Sequence, residues 1–327
     1  MGHAVRSCSA SDTKSAVSPP GGGQVTGRFA PTPSGRLHLG NLLCAMLAYL
    51  SARHAGGRFL LRIEDLDAPR CPRSLARQAV EDLAWFGLRW DAPPLYQSER
   101  TAVYQSHLER LRAKGLIYPC FCTRAQLQQQ ASAAPNLGDT QRVYAGTCAH
   151  LTREEIGRLS LARSPALRVR VPDEEIRFVD GLQGPQCENL ARDCGDFIVR
   201  RSDGLFGYQL AVVEDDALTG VDEVRGRDIL SATPRQIYLL RELGYPVPRY
   251  YHIPLLIDAQ GRRLAKRDRD LDLSALSRRY TPQRLLGMLA HAAGLLEEDR
   301  AADLEELTAL FDWSNVRRDD LRLPSWL

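Results

Sequence analysis

No stretch of this 327-residue chain approaches the roughly 18 consecutive apolar residues that a membrane-spanning helix needs, which excludes that class. Residues 1–24 lack an apolar core followed by a small-residue cleavage site, so they are not a secretory signal. Rich in Ser, Ala, Pro and Gly, they read as a disordered leader. Internal repeats are absent, which excludes solenoids and propellers. Also missing is a decisive excess of charge: the net value of +3 does not by itself demand a nucleic-acid partner. The eight cysteines have no regular spacing. In a chain of this size that reads as a reducing, cytoplasmic compartment, where clustered thiols are metal candidates and not disulfides. Nothing points to a membrane or to an obligate protein partner.

What is present is an ordinary globular composition, 44% hydrophobic and 25% charged, able to bury a full core in about two domains. Basic residues crowd the last third, among them Arg225, Arg227, Arg235, Arg249, Arg284 and several between 262 and 269. They read equally as a phosphate-binding face or as a solvated surface balanced by nearby acids.

Residues 25–30 form a strand candidate that runs into the turn Pro31-Thr32-Pro33-Ser34-Gly35. Leu39, Leu42, Leu43, Met46, Leu47 and Leu50 then follow helical spacing up to Gly56-Gly57. A buried strand is expected over 59–63, and a second helix between Pro72 and Gly87. This alternation predicts a parallel α/β sheet. Residues 118–185 break the rhythm and read as an insertion with a helix over 125–133. Core strands are expected again at 197–199 and 208–213. Thr233-Pro234 and Thr281-Pro282 each predict a helix start with Thr as N-cap. The expected organisation is therefore an α/β domain over 25–280 followed by a helical region over 281–327.

The segment Arg28-Phe29-Ala30-Pro31-Thr32-Pro33-Ser34-Gly35-Arg36-Leu37-His38-Leu39-Gly40-Asn41 takes a strand through a turn directly into a helix. Helix N-terminal amides and their dipole favour an anion there. Gly40 permits close approach to the backbone, and His38 could stabilise charge developing on a phosphate. The segment resembles the nucleotide-binding signature of class I aminoacyl-tRNA synthetases, in the glutamyl and glutaminyl branch. Asn41 stands where the commoner His-Ile-Gly-His signature has its second histidine. Downstream, Gly261-Arg262-Arg263-Leu264-Ala265-Lys266-Arg267 resembles the Lys-Met-Ser-Lys-Ser loop, with Arg263 and Lys266 in the basic positions and Ala265 in place of Ser. Such a loop can neutralise charge on departing pyrophosphate. The resemblance implies a Rossmann-type catalytic domain, ATP with Mg²⁺ bound at His38, Gly40, Asn41, Arg263 and Lys266, and catalytic roles for His38 and Lys266.

Arg62-Ile63-Glu64-Asp65-Leu66-Asp67 is similar to the Arg-Ile-Glu-Asp-Thr-Asp segment of glutamyl-type enzymes. The resemblance implies that Glu64 binds an α-ammonium group. It likewise implies that Arg28, Phe29, Ala30, Pro31, Thr32, Tyr208 and Arg225 complete a glutamate pocket. Arginine's planar fork suits carboxylates, and two arginines favour glutamate over glutamine. Core packing is the alternative for Tyr208.

Cys120, Cys122 and Cys148 are three thiols in one short insertion, a set that fits zinc, although this spacing equally allows free thiols. His150 is the commoner fourth ligand, whereas the resemblance implies Tyr144. Cys8, Cys44, Cys71, Cys187 and Cys194 are scattered and expected to be unliganded. About 60 residues follow Lys266, short of the roughly 100 of a separate domain, so no anticodon-binding domain is expected. The chain thus resembles the truncated glutamyl-tRNA synthetase-like family. That family activates L-glutamate without tRNA and esterifies it to the cyclopentenediol of queuosine in tRNA(Asp). A minimal synthetase charging a tRNA 3′ end and a non-catalytic ATP- or tRNA-binding paralogue are the alternatives.

Overall fold

A computed structural model describes residues 6–7, 25–130, 143–258 and 272–322. In chain order the elements begin with β1 (Arg6–Ser7), β2 (Thr26–Phe29), α1 (Leu39–His54), β3 (Arg58–Ile63), α2 (Arg73–Trp85), β4 (Leu95–Tyr96) and α3 (Thr101–Ala113). Next come β5 (Ile117–Cys120), α4 (Arg124–Gln130), α5 (Arg153–Ala162), β6 (Ala166–Val169), β7 (Glu175–Asp180), β8 (Gly184–Asn189), α6 (Leu190–Asp193) and β9 (Phe197–Arg200). The chain continues through α7 (Tyr208–Thr219), β10 (Glu223–Gly226), α8 (Thr233–Leu243), β11 (Tyr250–Ile253) and β12 (Leu256–Ile257). It closes with α9 (Leu273–Arg279), α10 (Pro282–Ala293), α11 (Leu304–Leu310) and β13 (Leu321–Arg322).

Strands β2, β3 and β4 pair in parallel, as do β10, β11 and β7. A parallel bridge between Gly27 and Asp222 joins the two sets. The spatial order is therefore β4-β3-β2-β10-β11-β7, extended by antiparallel β8 and β1. Connections run outward from β2 on one side and from β10 on the other, so the chain reverses direction between them. In doubly wound sheets ligands bind outside the carboxyl ends of strands at such a switch point.

The apolar spacing of α1 seals it to the sheet: Leu39, Leu42, Leu43, Met46, Leu47 and Leu50 are all buried. Each contributes on the order of 1.5–3 kcal/mol by leaving water. Close approach requires Gly27 in β2, where a Cβ would lie 2.8 Å from Ala52 Cβ and 3.0 Å from the Ala48 carbonyl oxygen. The packing thereby fixes the N-terminus of α1 beside the end of β2. A second core joins α3, α7 and α8 to the middle strands, and a third, smaller one surrounds Cys120 and Cys148. Among the described residues no helix is long and apolar enough to cross a membrane.

Several expectations change. Residues 208–213 are not a strand but the start of α7. Its apolar run is buried on all sides, and a short run of that kind carries no period that separates helix from strand. Thr233 is the first residue of α8, with Ala232 at the cap. The insertion has no clean end at 185, which falls inside β8. Strands β5, β6 and β9 form a separate antiparallel sheet, while the β7–β8 hairpin joins the main sheet through Asp180 opposite Tyr250. Arg6–Ser7, expected in a disordered leader, pair with Cys187 and Gln186 of β8. The last region holds α10 and α11 and, in addition, β13, which pairs in parallel with β12. Of the helix expected over 125–133, α4 covers the part up to Gln130, and the remainder lies outside the described residues.

Candidate active site

The switch point opens into a cleft of about 310 Å³. It gathers Arg28, Phe29, Ala30, Pro31 and Thr32 from the end of β2, then His38, Gly40 and Asn41 from the start of α1. Glu64 enters after β3, Tyr208 at the head of α7 and Arg225 from β10. The opposite wall is Gly226, Asp228 and Ile229 together with residues 253–256. Tyr208 lines this cleft and is 41% exposed.

His38 caps α1. Its Nδ1 accepts from the Gly40 backbone N–H at 3.1 Å, and Asn41 Oδ1 accepts from the His38 N–H at 3.1 Å. With Nδ1 accepting, the neutral ring carries its proton on Nε2. A Cβ on Gly40 would lie 3.1 Å from the His38 ring, so the glycine makes room for the histidine as well as for any ligand.

Around the arginines the structure adds residues that sequence reasoning missed. Arg28 donates to Asp216 through Nε at 3.0 Å and Nη2 at 2.9 Å, and Nη2 also reaches Glu223 at 2.9 Å. Arg62 also donates to Asp216, and to Glu64 at 3.1 Å. Glu64 also accepts from the Thr32 hydroxyl at 3.2 Å. Arg225 donates through Nη1 to Glu223 and to Gln236, each at 2.6 Å, and through Nη2 to Thr233 at 2.8 Å. One oxygen of Glu223 therefore bridges the two pocket arginines. Both pocket arginines are partnered by buried acids, because a buried charge must be paired. Burial pushes Glu223 up to about 6, against the pull of Arg225. Asp216 moves the other way: burial would raise it, yet Arg28 and Arg62 hold it well below the usual carboxylate value. Glu64 is pushed up by burial, opposed by Arg62 and Arg28. The available signal for the missed acids was Glu214-Asp215-Asp216, three charges directly after an apolar run.

Among the described residues, the basic side chains of the last third do not form one exposed face. Arg225 and Arg235 are buried, while Arg227, Arg249 and Arg284 pair with Asp320, Asp222 and Asp299. Glu223 likewise pairs with Arg225. The basic residues between 262 and 269, Arg263 and Lys266 among them, lie outside the described residues. The chain on either side is anchored at the cleft: Leu256, which lines it, belongs to β12, and Asp272 forms a bridge with His38.

Away from the cleft, Cys120, Cys122 and Cys148 bring their sulfurs within 4.8 Å of one another, a group able to hold a metal ion. Tyr144 Oη lies 3.5 Å from Cys120 Sγ and 3.7 Å from Cys122 Sγ, and Cys122 and Cys148 sulfurs are 3.6 Å apart. His150 is exposed and outside this group. Cys44, Cys71 and Cys194 form no disulfide, whereas Cys187 is disulfide-bonded, against the expectation that cysteines here avoid disulfides. Cys8 lies outside the described residues.

A parallel sheet with a cleft at its switch point, a capping histidine at the helix that opens there and paired arginines opposite define a class I synthetase-type catalytic domain. The family model for class I tRNA synthetases (E and Q), catalytic domain, matches residues 24–311. A glutamyl-Q tRNA(Asp) synthetase of Symbiobacterium thermophilum is 49% identical over 312 residues, covering 92% of this chain and 96% of that protein. One from Nitratidesulfovibrio vulgaris is 46% identical, covering 84% and 88%. Among solved structures, a glutamate tRNA ligase from Elizabethkingia meningosepticum in complex with its amino acid superposes with a TM-score of 0.80 at 26% identity, covering 93% of this chain and 68% of that one. The chain belongs to the class I tRNA synthetases of the E and Q type, within the family of the glutamyl-Q tRNA(Asp) synthetases.

Proposed function

We propose that the protein uses ATP to convert L-glutamate to glutamyl-adenylate without tRNA, then transfers the glutamyl group to the cyclopentenediol of queuosine at the wobble position of tRNA(Asp). The observation that carries this reading is the meeting of Glu64, Arg28, Arg225 and Tyr208 with His38 in one cleft at the sheet's switch point. Relatives of matching extent that bear the glutamyl-Q tRNA(Asp) synthetase name support the acceptor.

In this reading Glu64, braced by Arg62 and Thr32, takes the α-ammonium group, and Arg28, Tyr208 and Arg225 take the carboxylates. The α-carboxylate oxygen attacks the α-phosphorus of ATP, forming the mixed anhydride as pyrophosphate leaves. Mg²⁺ accompanies the ATP phosphates. His38, at the positive end of α1, stabilises the charge that builds on phosphate, and Arg263 and Lys266 neutralise the leaving pyrophosphate. A hydroxyl of the cyclopentenediol then attacks the glutamyl carbonyl carbon. The ester forms, AMP departs and the hydroxyl proton passes to solvent. Glutamate-dependent exchange of labelled pyrophosphate into ATP, measured without tRNA, tests the first step. Exchange driven by glutamine and not by glutamate would contradict it.

One structural zinc is proposed at Cys120, Cys122, Tyr144 and Cys148. Zinc–sulfur bonds of about 2.3 Å and zinc–oxygen bonds of about 2.0 Å in a tetrahedron imply edges of roughly 3.5–3.8 Å, and the observed separations of 3.5, 3.6 and 3.7 Å fit. Metal analysis of protein purified without added zinc is expected to give about one zinc per chain. Cys122→Ser should lose the metal and lower the unfolding midpoint. Cys44→Ser, whose thiol donates to the Val224 carbonyl in the cleft, should retain the metal. A metal-free protein that is fully folded and active would contradict the assignment.

A further inference from the structure

Arg225 is held from behind by two residues that neither the sequence motifs nor the proposed reaction uses, His252 on β11 and Asp180 at the end of β7. Arg225 Nε donates to His252 Nε2 at 2.9 Å. A guanidinium does not give up its proton in a folded protein, so Nε2 is the acceptor and the imidazole proton sits on Nδ1. That proton is donated to Asp180 Oδ2 at 2.5 Å. The carboxylate is itself immobilised, since Asp180 Oδ1 accepts from the backbone N–H groups of Gln183 at 2.8 Å, Leu182 at 3.0 Å and His252 at 3.2 Å. His252 and Asp180 are no more than 1% exposed. Beside them the Tyr250 ring stacks on His252 and lies 4.8 Å from the Arg225 guanidinium. Burial, with Arg225 alongside, draws His252 down to about 4 although the Asp180 hydrogen bond opposes it, so the ring stays neutral.

A guanidinium tied only at its terminal nitrogens can still swing about its side chain; a third tie at Nε fixes its plane. We propose that His252, locked in its Nδ1–H tautomer by Asp180, is a positioning residue that fixes the Arg225 guanidinium so that its remaining Nη2–H meets a carboxylate of the amino-acid substrate. This rests on the glutamate-activating reading above, with Arg225 in the pocket.

The test is pyrophosphate exchange by the full chain, with glutamate and ATP varied separately, in wild type, His252→Asn, His252→Gln and Asp180→Asn. A glutamine oxygen reaches the place of Nε2 and can still accept from Arg225, whereas asparagine reaches only the place of Nδ1. His252→Asn is expected to raise the KM for glutamate about 10- to 100-fold, the size of a lost hydrogen bond to a charged group, with the KM for ATP changed less than about twofold. His252→Gln should recover most of that loss. Should His252→Asn fail to fold, Asp180→Asn carries the test. Its amide can donate to Nδ1 and drive the ring proton onto Nε2 against Arg225, so the same selective rise is expected. Equal damage in the Asn and Gln variants, an ATP KM rising in step, or an unchanged glutamate KM in the folded variants would overturn the proposal. Wild-type exchange that does not depend on glutamate would overturn the activation reading and this inference together. Glutamate-dependent wild-type exchange with indifferent variants overturns this inference alone.

Discussion

Asp216→Ala is expected to destabilise the protein by about 3–5 kcal/mol, the range for breaking a buried ion pair, since it leaves Arg28 with Glu223 and Arg62 with Glu64 and Asp215 as their remaining acid partners. Asp216 is the shared counter-ion of Arg28 and Arg62, and all three side chains are at most 6% exposed. The comparison is Glu109→Ala, which removes the exposed i,i+3 pair with Arg112 and should cost no more than about 1 kcal/mol. Urea unfolding of both variants is the measurement, and a midpoint for Asp216→Ala as near wild type as that of Glu109→Ala would contradict the account. The sign with pH follows from the depressed ionisation of Asp216 in the folded state. Its contribution is present above the ordinary aspartate value near about 4 and is lost as pH falls toward the lower folded value. The stability gap between wild type and variant should therefore be widest near neutrality and shrink in acid.

Lys266→Ala should lower the rate of glutamate-dependent exchange by roughly 10²-fold or more, as removal of one preorganised transition-state contact does. Glutamate affinity should change far less, because the lysine is assigned to the departing pyrophosphate and not to the ground state. The chain before and after the loop is anchored beside the cleft, at β12 and at the Asp272–His38 bridge. A wild-type exchange rate in this variant would reduce the segment to a surface turn. An unchanged rate constant with a raised glutamate KM would move the lysine into the amino-acid pocket.

Local signals made the first half of the fold legible. The strand, turn and helix over residues 25–54 and the strand at 59–63 emerge where spacing predicts them, because helix period, a Pro/Gly turn and apolar burial all agree there. Agreement failed at α7, whose apolar run has no distinguishing period. Packing against α3 and α8 in the second core decided its conformation. The same helix carries Asp215 and Asp216, acids whose partners Arg100, Arg62 and Arg28 lie more than 100 residues away in sequence. Pairings across such distances leave no local pattern. Thr233 shows the limit from another side: its hydroxyl, expected to cap α8, accepts from Arg225 instead. The three thiols were legible because they cluster in sequence, yet their nearness to Tyr144 Oη is a property of the fold. The cleft residues were legible only through whole motifs, since neither His38 nor Glu64 alone distinguishes a ligand contact from a cap or a strand end.

The acceptor of the glutamyl group can be identified in one experiment. Labelled glutamate and ATP are offered to an isolated tRNA(Asp) anticodon stem-loop whose 3′ end is blocked, with and without queuosine at the wobble position. Label is expected on the queuosine-bearing stem-loop and none on its queuosine-free counterpart, with the signal abolished when periodate cleaves the cyclopentenediol beforehand. Phosphate contacts to the stem-loop should also make transfer weaken with added salt. Label on stem-loops lacking queuosine, or only on the intact 3′ terminus of tRNA(Glu), would contradict the account in favour of a minimal synthetase.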